Sequence, residues 1–128
     1  MIPAIDYDRH DDPNLALVAI AQLAELHPGW DSYDAEPIPP LALYKAKRCV
    51  EQALNTLGQA LYRNPIVGPT PSGVELIWRG GEAEIHALFG AEDGRYVVIG
   101  PNRTVVDRGH IVDSGFFARN VLKSRLGF

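Results

Sequence analysis

Residues 28–40 read Pro-Gly-Trp-Asp-Ser-Tyr-Asp-Ala-Glu-Pro-Ile-Pro-Pro and separate two segments with helical hydrophobic spacing. Its four prolines exclude a continuous helix or central strand, because proline fixes φ and donates no backbone hydrogen bond. The stretch also holds Trp30, one of the two tryptophans, which makes it too aromatic for a plain linker. It therefore predicts a structured loop that ends one helix and precedes the next.

The segment before this loop predicts a helix over residues 13–26. Asp12 and Pro13 are typical of the N-cap and first helical positions. Apolar residues then recur at helical spacing up to Leu26, and several more widen the stripe, so we expect a mostly buried helix. Pro28 disfavours helical dihedrals at the residue before it and so ends the helix. Residues 1–12 are expected to form an extended arm.

The segment after the loop predicts a second helix, from Pro39 or Pro40 to about Tyr62. Cys49 lies on it and is expected to be a small core or boundary residue. A single cysteine excludes an internal disulfide and fits a reducing cytoplasm. The expected apolar face consists of Leu41, Tyr44, Val50, Ala53, Leu54, Leu57 and Leu61.

Beyond residue 64 the pattern changes to β-structure. Residues 64–73 are expected to form a proline- and glycine-rich loop, and residues 74–79 and 82–89 the strands of a hairpin turned by Gly80-Gly81. Counting from that turn places Trp78 opposite Ala83 and Glu75 opposite His86. Residues 95–100 predict a third strand covered on both faces, and residues 104–107 a fourth that ends at Arg108-Gly109.

The final segment predicts a helix capped by Asp113 or Ser114. The fold class is therefore α+β: two N-terminal helices, an antiparallel meander of three or four strands, and a C-terminal helix. At 128 residues the chain is expected to be a single domain. Its parts would be the arm, a helical half over 13–62, a sheet over 66–112 and a terminal helix over 113–126.

Charge is divided unevenly along the chain. Residues 1–36 carry a net charge of −7 and residues 37–128 a net charge of +3. Asymmetry of this kind bears on association, and it suggests an acidic surface that meets another protein with a basic surface. The alternative is an acidic surface that is exposed to solvent and binds no partner. The candidate partner-binding residues are Asp6, Asp8, Asp11, Asp12, Asp31, Asp34 and Glu36.

Catalytic and metal-binding patterns are sparse. Glu75 and His86 form the best acid–base pair the sequence offers, yet no nucleophile can be placed beside them, so a surface cross-strand pair is favoured. Asp31, Asp34 and Glu36 do not have the spacing of a calcium loop, and cap or turn roles are preferred for the two aspartates. No catalytic residue, metal or cofactor is predicted.

Nucleic-acid and membrane binding are both disfavoured. Lys45, Lys47 and Arg48 form one basic cluster, and Arg119, Lys123 and Arg125 a second, but the isoelectric point near 5.5 opposes a nucleic-acid footprint. No apolar run approaches the ~18 residues of a membrane span, and no signal peptide is recognisable.

Two motifs together resemble a group of small uncharacterised bacterial proteins. These are Gly29-Trp30-Asp31 with the loop that follows it, and Pro69-Thr70-Pro71-Ser72-Gly73 leading to Trp78. The resemblance covers about residues 20–90. The chain departs from the group in its single Gly73, where two glycines are usual, and in residues 100–128. The resemblance implies no known activity and no catalytic residues.

Trp30 and Trp78 are expected to be structural, each packed in or beside the core with its indole N–H bonded. The leading functional hypothesis is a non-enzymatic cytoplasmic protein-binding module, similar to antitoxins, immunity proteins or phage inhibitors, acting through the acidic surface. Two alternatives stay open: a small enzyme or accessory domain using Glu75 and His86, and a nucleic-acid-binding regulator using the basic C-terminal helix. A homodimer would also cover the sheet edges.

Overall fold

The structure is a computed structural model that describes residues 13–30 and 37–126. Within these residues the chain forms two helices, five strands and a C-terminal helix, so the α+β class is confirmed. The helices α1 and α2 span Pro13–Leu23 and Pro40–Leu61. The strands are β1 Ile66–Thr70, β2 Gly73–Gly80, β3 Ala83–Phe89, β4 Gly94–Ile99 and β5 Val105–His110.

The sheet is an antiparallel meander in the order β1-β2-β3-β4-β5. The prediction of three or four strands was wrong, because Ile66–Thr70 forms a strand where a loop was expected. It pairs with β2 from Ile66 opposite Ile77 to Thr70 opposite Gly73. Pro69 is compatible with this strand because β1 lies at the edge of the sheet, where a missing N–H donor is tolerated.

The register of the β2–β3 hairpin differs by two residues from the prediction. Gly80 pairs with Ala83 and Trp78 with Ile85, so the turn consists of Gly81 and Glu82. Gly81 has a φ of 56°, a left-handed conformation that glycine adopts without strain. Because side chains alternate with a period of two, this shift leaves every residue on its predicted face.

The inner face of the sheet packs against α2 and the C-terminal helix. Trp78 and Ile85 are almost fully buried there, and Trp78 lies 6.3 Å from Phe117, measured between ring centroids. The outer face, which carries Glu75 and His86, is left open by the described helices. The expectation that both faces of the third strand are covered is therefore wrong, since Val97 on the outer side of β4 is only partly buried.

Strand β5 continues beyond the predicted break at Arg108-Gly109. Gly109 is accommodated within it because the Tyr96 ring lies against that position: an added Cβ would sit 2.9 Å from Tyr96 Cε1. The glycine therefore marks a close side-chain approach rather than a turn. This is a normal reason for a glycine inside a strand.

Helix α2 buries a stripe of small side chains. Leu41, Tyr44 and Leu61 were expected on the buried face, but they are 49%, 58% and 40% exposed. The stripe that contacts the core recurs every three or four residues, and its small side chains let the helix backbone approach the sheet closely. Its members are Ala42, Ala46, Cys49, Val50, Ala53 and Leu57.

Helix α1 is less buried than predicted and shorter. It packs on α2 and β1, which buries Ala16 and Ile20 but leaves Leu15 and Val18 about half exposed. The regular helix ends at Leu23. Tighter hydrogen bonds to the third preceding residue carry the chain on to Leu26.

The C-terminal helix comprises residues 114–125 and includes a π-helical turn over Ala118–Leu122. Of the two predicted caps, Asp113 performs the role, since its side chain accepts a hydrogen bond of 3.0 Å from the Phe116 N–H. Bonds from the Phe116 and Gly115 backbone lower the pKa of Asp113. Phe117 and Leu122 point into the core, whereas Phe116 is 60% exposed.

Candidate functional site

The seven predicted partner-binding carboxylates lie outside the described residues. They belong to residues 1–12 and 31–36, so the acidic surface stays a prediction. Trp30 and Trp78 are both described. Trp30 is partly buried against the core and Trp78 is 1% exposed.

The predicted indole partner is missing at Trp78. Its Nε1 is buried with no acceptor in reach among the described residues. This differs from the expectation, because Trp78 lies among apolar side chains of the inner sheet face and the helices.

Glu75 and His86 do meet, but diagonally rather than directly opposite. The register places His86 opposite Ile77, and its Nδ1 lies 3.1 Å from Glu75 Oε2. Its other ring nitrogen, Nε2, lies 2.6 Å from Glu84 Oε1. The imidazole is therefore held between two carboxylates on the outer face of the hairpin.

Two arginines complete this network by binding Glu84. Arg79 Nε donates to Glu84 Oε2 at 3.1 Å, and Arg103 Nη1 donates to the same oxygen at 3.3 Å. The hydrogen bond from His86, followed by those arginine contacts, lowers the pKa of Glu84. Glu84 was not singled out from the sequence. The available signal was its position two residues before His86, which puts both on one face of a strand.

This arrangement limits what His86 can do chemically. Ionised carboxylates only accept hydrogen bonds, so both contacts are satisfied together only when both ring nitrogens carry a proton. Neither nitrogen then has a free lone pair with which to act as a general base. The surface cavities of about 320 to 480 Å³ along α1, α2 and β5 do not include His86 in their linings.

No metal-binding group emerges from the part of the chain that the structure describes. Clusters of three or more histidine, cysteine or carboxylate side chains suited to a metal ion do not occur in residues 13–30 and 37–126. The candidate carboxylate loop over 31–36 lies outside them.

Parts of the two predicted basic clusters meet in one cleft, which the sequence did not indicate. Lys45 and Arg48 of α2 and Arg119 of the C-terminal helix line a cavity of about 480 Å³. The cationic charge there is partly compensated, since Arg48 pairs with Glu51 at 3.3 Å and Asp113 shares the lining.

The rest of the C-terminal basic cluster does not form one uniform surface. Arg125 reaches across to Asp107 of β5, with 3.7 Å between Nη2 and Oδ2. The same carboxylate oxygen accepts a hydrogen bond of 3.4 Å from the Tyr96 hydroxyl. Burial, followed by the nearby charge of Asp107, raises the pKa of Tyr96.

A second positively charged region lies on the outer sheet face. Arg95, Val97, Arg108 and His110, with Leu88 behind them, line a groove of about 430 Å³ whose lining contains no carboxylate. The sequence contained the necessary signal, since the two arginines occupy same-face positions once the register is known. Before the extent of β5 was known, however, the face of the sheet on which Arg108 lies could not be assigned.

The helical layer carries a more apolar groove of about 450 Å³ between α1 and α2. Val18, Ala21, Leu43 and Tyr44 are among its lining residues. Among the described residues, no helix combines the length and apolar character needed to cross a membrane.

Comparisons with protein-family models, with curated proteins and with solved structures find no match to this chain.

Proposed function

We propose that the protein is a non-enzymatic, cytoplasmic protein-binding module. The observation that carries this proposal is the outer face of the sheet, which the described helices leave open. It combines partly buried aliphatic side chains, such as Leu88 and Val97, with surrounding arginines. Arginine is enriched in protein interfaces, whose buried centre is more apolar than the rest of the surface, whereas lysine is depleted in them.

The distribution of basic residues supports this proposal. The chain has three lysines, Lys45, Lys47 and Lys123, and all lie on helices. Among the described residues, the lysine and arginine side chains on or reaching the outer sheet face are all arginines. They are Arg79, Arg95, Arg103 and Arg108.

The state of the Glu75–His86–Glu84 network also favours binding over catalysis. Its groups are bonded to one another, and His86 is not a lining residue of any cavity described above. A bonded network of this kind is typical of a surface, because each of its three side chains is already engaged by another. An enzyme that used Glu75 and His86 would first have to break the hydrogen bonds of this network.

The acidic residues of the N-terminal third belong to the same proposal. Their charge would steer a partner with a basic surface and set its specificity. We propose that the protein binds its partner in the way that antitoxins, immunity proteins or phage inhibitors bind theirs. Charge reversal of Asp6, Asp8, Asp11 and Asp12 together should weaken capture and reduce its dependence on salt.

The test is capture of a partner by the tagged full-length chain from its native host, with variants of the open face. Leu88→Glu combined with Val97→Glu should abolish recovery of a stoichiometric partner, because two charges would be buried in the contact. The matched control is Val112→Glu, since Val112 is 96% exposed. Circular dichroism must show that each variant is folded. Unchanged capture by the double variant would contradict the proposal for this face.

A further inference from the structure

The outer face of the sheet has two electrostatically different halves. On the β2–β3 side, Glu84 accepts bonds from Arg79, Arg103 and His86, and Glu75 bonds His86 as well. Opposite charges in this half are therefore matched within the protein. On the β4–β5 side, Arg95 and Arg108 form no ion pair with any described residue.

The register brings these two arginines close together. Arg95 pairs with His110, and Val97 pairs with Arg108, so the arginines are diagonal neighbours on adjacent strands. Diagonal neighbours on one face lie within reach of a shared ligand when their side chains are long. Both arginines are exposed, and Val97 and Leu88 form a partly buried apolar surface beside them.

The backbone edge of β5 is a less suitable docking site than this face. The Arg108 N–H is bonded at 2.8 Å by the carboxylate of the preceding Asp107. An added strand would have to displace that bond, and Asp107 is also held by Tyr96 and Arg125. Recognition through side chains on the face requires no such change.

We propose that the Arg95–Arg108 groove binds an acidic segment of a partner protein, with partner carboxylates on the arginines and partner aliphatic groups on Val97 and Leu88. This inference rests on the proposed binding function and adds a second feature to its partner, an acidic segment alongside the basic surface that would meet the N-terminal carboxylates. Guanidinium groups match carboxylates in a two-pronged geometry, and the groove lining supplies no carboxylate of its own. The acidic turn residues Glu92 and Asp93 line a different cavity, which shares His110 with the groove.

An acidic protein segment is favoured over a nucleic acid by the surroundings of the groove. Apart from the single imidazole of His110, the groove offers aliphatic side chains beside its arginines, and its tyrosine, Tyr96, is turned to the inner face and bonded to Asp107. Single-stranded nucleic acids are usually bound by exposed aromatic side chains on which bases stack. A segment that alternates carboxylate and aliphatic side chains matches both components of the groove.

The test uses an acetylated and amidated octaglutamate peptide as the probe, titrated into the full-length protein at low salt. We expect backbone amide shifts in the NMR spectrum centred on Arg95, Val97, Arg108 and His110. Arg95→Gln combined with Arg108→Gln should weaken binding about tenfold, because two charge-assisted contacts are lost. The control, Arg48→Gln combined with Arg119→Gln, removes the same charge from the helical cleft and should leave the affinity within about twofold.

Three results of the peptide titration would overturn the inference. These are an absence of peptide binding, an equal loss in the control variant, and tighter binding of a dodecathymidylate oligonucleotide that displaces the peptide. Failure of the proposed function is distinguishable, because it is measured separately by partner capture. If capture depends on Leu88 and Val97 but not on the two arginines, the binding module stands and the acidic partner is wrong.

Discussion

At the scale of single residues, Trp78 shows how packing can outweigh hydrogen bonding. Its side chain is 1% exposed, yet its indole N–H has no acceptor among the described residues. A buried unpaired donor costs about 1–3 kcal/mol. The apolar contacts of the ring with the sheet and with Phe117 must offset that cost.

Replacing Trp78 should separate these two contributions. Trp78→Ala is expected to lower the free energy of unfolding by about 3–5 kcal/mol. Trp78→Phe should lower the free energy of unfolding by much less than the lost side-chain volume suggests, because the substitution also removes the unpaired indole N–H. Urea unfolding measures both. Tyr62→Phe is the control, since the buried Tyr62 hydroxyl donates to Asn64 at 3.1 Å and its loss should destabilise. This account would be contradicted if Trp78→Phe and Tyr62→Phe lowered the free energy of unfolding by the same amount per removed atom.

The pKa of Glu84 predicts a pH dependence of stability. His86 and the arginines lower the pKa of Glu84 below its ordinary value of 4.5, so the folded state binds this proton less readily than the unfolded state. The stabilisation is therefore present above that ordinary pKa and is lost as the pH falls through the lower folded value. Glu84→Gln should destabilise the protein at pH 6, and this cost should shrink as the pH falls below 4.5, as measured by urea unfolding. A difference that stays constant over this range would contradict the assignment.

At the scale of elements, α2 depends on the small size of its buried side chains. Ala42 and Ala46 are fully buried within the core cluster, so a larger side chain at either position would have to displace its neighbours. The hydrophobic pattern of the sequence drew attention to the large residues instead. Leu41 and Tyr44 have the right spacing for a second apolar stripe, but both are about half exposed, and Tyr44 lines the open groove with α1.

Substitutions on α2 should therefore have effects opposite to those expected from hydrophobicity. Ala46→Leu should destabilise the protein by about 1–3 kcal/mol because it overpacks the interface. Tyr44→Ala should change stability by less than about 0.5 kcal/mol, since Tyr44 is 58% exposed. Thermal and urea unfolding check both. A large cost at Tyr44 with none at Ala46 would mean that α2 is rotated about its axis.

At the scale of the whole molecule, the alternating strand pattern and the loop prolines were sufficient to predict the α+β class. The same signals did not predict the number of strands, because Pro69 made the edge strand β1 resemble a loop. They also could not set the hairpin register, since Gly80 and Gly81 are both credible turn residues. The Glu75–His86 contact was nevertheless predictable, because a two-residue shift preserves faces. The Arg95–Arg108 groove depended on the length of β5, which Gly109 concealed.

Cys49 provides a test of the packing of the molecule as a whole. Its thiol is 0% exposed, and burial raises its pKa, so the reactive thiolate is suppressed in the folded state. We expect Ellman's reagent to label Cys49 only as fast as the protein unfolds, and labelling should rise with urea in parallel with circular dichroism. Rapid, complete labelling without denaturant would show instead that α2 separates from the sheet in the native state.

The position of α2 ahead of every strand has a consequence for biosynthesis. A ribosome releases residues 40–61 before β2 and β3, against which the alanine-lined face of α2 packs. During that interval the helix has no sheet to cover it, and its apolar face is open to other nascent chains or to chaperones. The strands of the meander are neighbours in the chain, so the sheet that covers α2 can form soon after β3 leaves the exit tunnel. Codons that slow translation between α2 and β3 should therefore lower the yield of folded protein more than the same codons placed after β5.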